Sequence, residues 1–473
     1  MSALTAWVRS LDNRMNPIVV KELRQISRGK FLIVILIGFL FTQLTVTGFF
    51  SVFSRGSSSL GPDLFQTLLA FLTGTCALLI PAYAGFRIAN ERAGENMDLL
   101  FSTTLKPASI VWGKTLSAGI LAAMIYSVCM PFIYMTYLLR GIDLLTALMS
   151  LVMSFGYVTL AAQIGILIGC MPASRVMKGI VGLVGLVGVF VFAFQFQAFP
   201  MSGAGVAARF GILLIWALIA GLCFLLSTAF ISPPSANRAL IPRLYVTGVW
   251  AISFLIVLVW SRIAVEIGPI LMWYIIFGGF FSWAMIVSVS ERDFLGPRVR
   301  RQIPRSGLRR LFAFLFYSGS AGGFLWASIG VLSTFLFGWI GLTSPPQLMD
   351  AEDFLDGASI LSFACINLWI ASAGAVLIHR KFLKKRVSNG YTWLIALGVY
   401  MVSNITWATM LIGSGVNFHA PIWAVLLFGI SVSNDNPPTA AIGIAALIMV
   451  CFCIPWIKRQ FSAFTPPLAD APS

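Results

Sequence analysis

The sequence predicts an all-α protein: a polytopic transmembrane bundle of about twelve helices with both termini in the cytosol. Three observations lead to this class. Hydrophobic residues fill 59% of the 473 positions and charged residues only 10%, against roughly 25% charged in an ordinary soluble domain. Apolar runs without charge recur at lengths that cross a bilayer. Lysine and arginine fall almost entirely on one side of those runs.

The predicted spans are the uncharged runs along the chain. A helix needs about 20 apolar residues to cross the hydrocarbon core, and each run of that order predicts one span. They are Phe31–Phe53, Leu64–Phe86, Thr115–Leu139, Leu144–Cys170, Gly179–Phe199, Phe210–Ile231, Leu244–Trp260, Pro269–Ser290, Phe312–Ile340, Ala358–Ile378, Tyr391–Gly413 and Pro438–Ile457.

The distribution of positive charge predicts the orientation of these spans. With the N-terminus inside, the outer loops hold only four of the 32 lysines and arginines, and the inner segments hold the rest. The four are Arg55, Arg140, Arg209 and Arg262. This asymmetry is the signature of cytosolic loops. The net charge of +16 therefore indicates a lipid bilayer as partner, and no nucleic acid.

The spans divide the chain into five parts. These are a cytosolic segment with an amphipathic helix (1–30), a first half with six spans (31–231), a cytosolic linker (232–243), a second half with six spans (244–457) and a cytosolic tail (458–473). We expect the tail to be disordered after Gln460. Equal span counts favour an internal repeat of two six-helix halves, although an undoubled chain stays open. The apolar run Ala420–Val432 is too short to span, which predicts a re-entrant or interfacial helix.

The residues before the first span predict a basic amphipathic helix. Four apolar residues recur at three- and four-residue spacing, with three basic residues between them. The apolar residues are Ile18, Val19, Leu23 and Ile26, and the basic ones are Lys21, Arg24 and Arg28. Pro17 suits a first helical turn. Such a helix is expected on the cytosolic membrane surface. A plain charged flank that only sets topology is the alternative.

The inner loops differ in character. In the predicted cytosolic loop Arg87–Lys114, Asn90 is expected to cap a short helix with Glu91 in its first turn. Pro107 should end that helix, and Ser109 should begin the next. Two later loops are strongly basic and predict solvated segments near anionic headgroups. They are Glu291–Arg310, which has seven arginines, and His379–Gly390.

Patterns for catalysis and metal binding are weak. The run Ala108–Thr115 resembles a relaxed P-loop, but its bridge is apolar rather than glycine-rich and a span follows it. Neither His379 nor His419 has an acidic neighbour, and the seven cysteines form no CxxC pair. We therefore predict no catalytic, cofactor-binding or metal-binding residue. Spans without charge disfavour an ion-coupled carrier and favour a transporter energised from outside the bilayer, or a structural membrane protein.

Glycines in the fourth and fifth spans predict close helix packing. Gly165 and Gly169 form a GxxxG pair, and glycine recurs at every third position from Gly179 through Gly182 and Gly185 to Gly188. Small residues let helix backbones approach within a membrane. These positions fit either a contact between subunits or a contact within the chain.

Two segments resemble type-2 ATP-binding-cassette (ABC) permeases, the membrane subunits of exporters that a separate ATPase drives. The run Asn16-Pro17-Ile-Val-Val-Lys21-Glu22-Leu-Arg24-Gln resembles the motif before their first span. The run Glu91-Arg92-Ala-Gly94-Glu95-Asn-Met-Asp98-Leu99-Leu100-Phe-Ser-Thr103-Thr-Leu105 and, further on, Gly113-Lys114 resemble their loop between helices two and three. The sequence departs from the pattern at one acid, with Asp98 where the family usually has glutamate.

The resemblance covers residues of about 14–232 and implies a permease of the bacterial cytoplasmic (inner) membrane, with ATP and Mg²⁺ on a partner ATPase. It also implies which residues meet that ATPase. They are Asn16, Pro17, Lys21, Glu22, Arg24, Glu91, Arg92, Gly94, Glu95, Asp98, Leu99, Leu100, Thr103, Leu105, Gly113 and Lys114. We further expect a second permease chain, because only the first half carries these motifs. A non-transporting scaffold is the main alternative and a secondary carrier the lesser one, and the substrate does not carry over.

Overall fold

A computed structural model describes residues 17–53, 60–93, 106–139, 142–201, 206–233, 235–264, 268–293, 295–343, 351–383, 388–413 and 439–466. Throughout these residues the ordered elements are helices, and no strand occurs. Within the same ranges, nine helices are long and apolar enough to cross a membrane. The all-helical prediction is confirmed, and the apolar helices agree with a membrane protein.

The chain divides into two compact units, Met1–Pro233 and Pro234–Ser473. The boundary falls inside the predicted linker 232–243, but residues 240–243 of that linker already belong to a helix. The re-entrant helix predicted at 420–432 lies outside the described residues.

The described part of the first unit has one short amphipathic helix and six long ones. They are α1 (Pro17–Arg28), α2 (Lys30–Phe53), α3 (Leu60–Ala93), α4 (Pro107–Leu138), α5 (Leu144–Cys170), α6 (Arg175–Met201) and α7 (Val206–Ile231). The central pair is α3 and α5, which pack along their lengths. Fully buried Leu72, Ile125, Val158 and Ile166 form part of a core that joins α3, α4 and α5.

The predicted loop Arg87–Lys114 is helical at both of its ends, which corrects its expected structure there. Asn90 and Glu91 do not start a short helix, because α3 continues without a break to Ala93. No glycine or proline interrupts that stretch until Gly94, so the helix extends beyond its apolar section. The next helix begins at Pro107 rather than Ser109, with proline in the first turn where its missing N–H costs nothing. Only residues 94–106 separate α3 from α4.

In the residues that the structure describes, the second unit has six long helices and two short ones. They are α8 (Leu240–Ala264), α9 (Gly268–Ser288), α10 (Pro297–Arg301), α11 (Gly307–Phe316), α12 (Ser320–Thr343), α13 (Ala351–Ile378), α14 (Thr392–Gly413) and α15 (Thr439–Ala463). A single π-helical turn, His379–Leu383, follows α13. The predicted loop His379–Gly390 is thus helical in its first part.

The span predicted at Phe312–Ile340 begins too early. The helix that is long and apolar enough to cross a membrane starts at Ser320, and the chain breaks between α11 and α12. At this break, side chains from other segments of the chain form hydrogen bonds with the backbone carbonyl and amide groups. The Arg243 guanidinium donates to the carbonyl oxygens of Leu315 and Tyr317 at 2.8 and 2.7 Å. The Glu291 carboxylate accepts from the Gly319 amide at 3.0 Å. Polar groups that are bonded in this way no longer require a continuous helix.

The predicted disordered tail also differs from the structure. Helix α15 continues to Ala463, and Phe464 beyond it is 5% exposed. Phe464 packs edge-on against Phe314 and Tyr317, and Arg310 donates to its carbonyl oxygen at 2.7 Å. Aromatic contacts therefore order the chain up to this residue.

Candidate functional site

Helix α1 lies against the first unit through one face. Its buried residues are Val19, Glu22 and Ile26, spaced by three and four positions so that they share that face. Lys21 and Arg24 on the other side are exposed. The predicted amphipathic helix is present, but its buried face contains a carboxylate as well as aliphatic side chains.

The Glu22 carboxylate holds two cations from two other helices. The Lys114 ammonium of α4 lies 2.8 Å from its Oε1, and the Arg87 guanidinium of α3 lies 2.7 Å from its Oε2. The side chains of Glu22 and Lys114 are only 3% and 5% exposed. Removing one partner from a buried ion pair leaves an unpaired charge, which costs about 3–5 kcal/mol. The two ion pairs therefore connect α1 to α3 and α4, and breaking either one is expected to destabilise this contact.

Glu91 completes the cluster. It lies one helical turn after Arg87, on the same face of α3, and its Oε2 is 2.8 Å from the Lys114 ammonium. Lys21 approaches its Oε1 at 3.9 Å, but Lys21 is 60% exposed and contributes little. We call Glu22, Arg87, Glu91 and Lys114 the charge cluster. Its two carboxylates balance its two cations, so the group can be buried without net charge.

The charge cluster joins three segments at one end of the first unit. Glu22 is on α1, Arg87 and Glu91 are in the last two turns of α3, and Lys114 is in the second turn of α4. Residues 94–106 connect α3 to α4. The ion pairs therefore link α1 to both of the helices that this connection joins.

The other predicted interface residues lie in different surroundings. Arg24 is exposed, Gly113 is buried in α4 beside the cluster lysine, and the Arg92 guanidinium donates to the Phe230 carbonyl oxygen at 3.3 Å near the end of α7. Pro17 begins α1. Asn16, Gly94, Glu95, Asp98, Leu99, Leu100, Thr103 and Leu105 lie outside the described residues.

Arg87 is a cluster residue that the sequence did not single out. It also donates to the Tyr83 hydroxyl at 2.5 Å, and its guanidinium lies 5.6 Å from the Tyr83 ring centroid. The position of Glu22 in the sequence was the signal that a cationic partner such as Arg87 should be present. A carboxylate three residues after Val19 and four before Ile26 falls on the apolar face, where it needs a cationic partner.

The predicted packing glycines fall into two groups. A Cβ at Gly165 would lie 2.7 Å from the Pro81 Cα and closer still to the Pro81 carbonyl oxygen, and one at Gly169 would overlap the Gly85 carbonyl oxygen. This pair brings α5 against α3 within the chain. By contrast, Gly179 and Gly188 of α6 have nothing within 4 Å of a built Cβ.

Ile168 is the neighbour of the two remaining glycines. Its side chain lies 3.9 Å from a Cβ built at Gly182 and 2.9 Å from one at Gly185. These contacts are with the end of a flexible side chain rather than with backbone, so they are easier to relieve. The α6 glycines therefore contribute little close backbone packing inside this chain.

In the charge cluster both Glu22 oxygens accept from cations, and the Lys114 ammonium lies between two carboxylates. In the described part of the chain, no three His, Cys, Asp or Glu residues are grouped so as to hold a metal ion. No family model matches this chain, and no curated protein or solved structure is significantly similar to it.

Proposed function

We propose that this chain is the membrane-spanning permease subunit of an ABC exporter, with ATP and Mg²⁺ bound by a separate ATPase chain. The observation that carries the proposal is the charge cluster. The two segments that resemble type-2 ABC permeases, one ending in α1 and the other flanking 94–105, meet there through Glu22, Glu91 and Lys114. If ATP hydrolysis is to move these two segments together, they must be physically joined, and these ion pairs would join them.

In this mechanism the ATPase binds segment 94–105 and pushes on it when its nucleotide sites close. The segment is short. Helix α3 ends directly before it, and helix α4 begins one residue after it. Because ion pairs join α1, α3 and α4 at that end, displacement of the segment would tilt the three helices together. Packed helices change arrangement as units rather than by gradual deformation. Access to the substrate pathway would alternate as a result.

The proposal includes about twelve spans with both termini in the cytosol of a bacterium, in its cytoplasmic membrane. Cysteine labelling in intact cells tests this topology. A cysteine at Ser57 or Glu352 is expected to react with an impermeant maleimide, whereas one at Ser27 or Ser306 should react only after permeabilisation. Cys451 is the exposed native cysteine and is first replaced by serine. Labelling of Ser306→Cys from outside would contradict the topology of the second half.

We also propose a second permease chain, identical or related, in the working unit. Closure of two ATPase domains requires two coupling segments, and the counterpart in the second unit is built differently. The carboxylates of Glu291 and Asp293 already accept from Gly319 and Ser320 backbone amides at 3.0 Å. The open face of α6 around Gly179 and Gly188 is the contact surface that we propose for the second chain.

Isolation of the tagged chain from its own membranes in mild detergent tests both proposals. We expect an ATPase with Walker motifs to co-purify, and a complex mass equal to two permease and two ATPase chains. Glu95→Lys should reduce the co-purified ATPase at least about 30-fold, since an unpaired like charge in such a contact costs about 2 kcal/mol or more. Glu352→Lys, the same reversal on the predicted outer side, is the matched control.

Four results would contradict these proposals. Absence of any ATPase from the wild-type complex would rule out the exporter. An ATPase that binds but shows no permease-dependent change in hydrolysis would favour the scaffold alternative. One permease chain with two ATPases would exclude the second permease chain, and equal retention by Glu95→Lys would remove segment 94–105 from the interface.

A further inference from the structure

Helices α10 and α11, their connection and the chain just before α10 carry a dense set of exposed arginines in the second unit. The residues of this surface that are exposed and basic are Arg292, Arg298, Arg300, Arg301, Arg305 and Arg309. We call these six residues the arginine platform. The sequence predicted a solvated loop at Glu291–Arg310. The structure instead forms α10 and the start of α11 there, while six of the seven arginines are exposed.

The backbone beneath the platform is folded rather than loose. Val299 and Ile303 point inward and are each 4% exposed. The Tyr317 hydroxyl donates to the Gln302 carbonyl oxygen at 3.3 Å. Arg310 donates to the carbonyl oxygens of Phe461 and Phe464, both at 2.7 Å. The six exposed guanidinium groups are therefore carried on a fixed scaffold, which lowers the entropic cost of binding a ligand.

The acids beside the platform are engaged elsewhere. The Glu291 carboxylate lies 2.6 Å from Arg243, a residue that is itself buried. The Asp293 carboxylate accepts from the Ser320 amide and hydroxyl, and Arg380 lies 3.5 Å from its other oxygen. Among the ion pairs of the described residues, none includes a platform arginine. The surface thus presents uncompensated positive charge.

An apolar stripe lies beside this charge. On α11, Leu308, Leu311 and Phe312 are 72%, 46% and 56% exposed, and their spacing puts them on one helical face. The opposite face packs inward through Ala313 and Phe314. Helix α12, which is apolar enough to cross a membrane, begins only four residues after α11 ends. An element directly before a membrane-crossing helix is expected close to the membrane surface.

We propose that the arginine platform binds the headgroups of anionic phospholipids while Leu308, Leu311 and Phe312 enter the bilayer interface. Guanidinium groups match phosphate with two parallel hydrogen bonds. A helix that combines exposed basic and large apolar residues is typical of an element lying in the interface. An acidic protein surface would satisfy the charge alone and would leave the apolar stripe in water. Charge and apolar stripe together therefore favour lipid.

Titration of the purified full-length chain, without any partner protein, tests this proposal. The delipidated chain in neutral detergent is titrated with phosphatidylglycerol or phosphatidylcholine, and bound lipid is counted by native mass spectrometry. We expect phosphatidylglycerol to bind at least about tenfold more tightly. The double variant Arg305→Gln with Arg309→Gln should lower that affinity on the order of tenfold, because each surface charge contributes separately. Its residues are exposed, so folding should be unaffected.

The matched control is Lys458→Gln with Arg459→Gln, which removes two exposed charges from the same unit. We expect this control to change phosphatidylglycerol affinity by less than about threefold. A drop equal to that of the platform variant would mean that binding follows net charge alone, and would overturn the proposal. Equal affinity for both lipids would overturn it as well. The variant Leu308→Ser with Phe312→Ser should weaken binding of phosphatidylglycerol, and an unchanged affinity would remove the apolar stripe from the site.

Discussion

Glu22→Ala is expected to detach α1 from the first unit and to lower the melting temperature of the purified chain by on the order of 10 °C. The alanine leaves the Arg87 guanidinium without its carboxylate and Lys114 with one partner instead of two. Loss of one member of such a buried group costs about 3–5 kcal/mol. Thermal unfolding followed by tryptophan fluorescence measures the stability, and limited proteolysis within residues 17–28 measures the detachment.

Lys21→Ala is the matched control for this variant. Lys21 neighbours Glu22 on α1 and approaches Glu91 only at 3.9 Å, with 60% of its side chain exposed. Its removal should change stability by less than about 0.5 kcal/mol. A cycle of Glu22→Gln, Lys114→Met and the double variant should be non-additive by more than about 1 kcal/mol. Additive effects, or a Glu22→Ala protein as stable and protease-resistant as the wild type, would show that the charge cluster does not hold α1.

Gly165→Leu is expected to separate α5 from α3 and to prevent stable folding of the first unit. Even the Cβ of an alanine would lie 2.7 Å from the Pro81 Cα, and the Cβ of a residue at Gly85 would lie 2.6 Å from the Gly165 carbonyl oxygen. Backbone atoms of packed helices cannot move aside as side chains do. Gly165→Ala should cost about 1–3 kcal/mol or more, and Gly165→Leu should yield aggregated protein on size-exclusion chromatography.

Gly179→Ala and Gly188→Ala are the controls. Their expected change in stability is opposite in sign to that of Gly165→Ala. Nothing lies within 4 Å of a Cβ at either position. Alanine is favoured over glycine inside a helix by about 1 kcal/mol, so the isolated chain should be equally stable or slightly more so. If Gly165→Ala and Gly179→Ala shift the melting temperature alike, the close approach of α3 and α5 at Gly165 does not stabilise this unit.

The all-helical class and most helices were predictable because they depend on local composition. Uncharged apolar runs such as Leu144–Cys170 have the length and residue content that form a helix wherever a bilayer is the solvent, and α5 has those same bounds. The amphipathic helix α1 also follows from residue spacing alone. Each of these features is specified within some 30 residues of chain.

The break between α11 and α12 could not be predicted in this way. The segment around Phe312–Phe316 is apolar and reads as the start of a span. The carbonyl oxygens of Leu315 and Tyr317 are instead bound by Arg243, a residue more than 70 positions earlier. Hydrogen-bond partners at that distance along the chain leave no signal in the apolar run itself.

Local pattern predicted that Glu22 belongs to a basic amphipathic helix and that Gly165 and Gly179 both stand in glycine-rich spans. Tertiary packing decided the rest. It turned Glu22 inward to meet Arg87 and Lys114, and it set Gly165 against the Pro81 backbone while leaving Gly179 open. Spacing along one helix specifies which residues share a face, but the partner of that face depends on how separate helices pack, because burial energy depends on the surface covered rather than on sequence order.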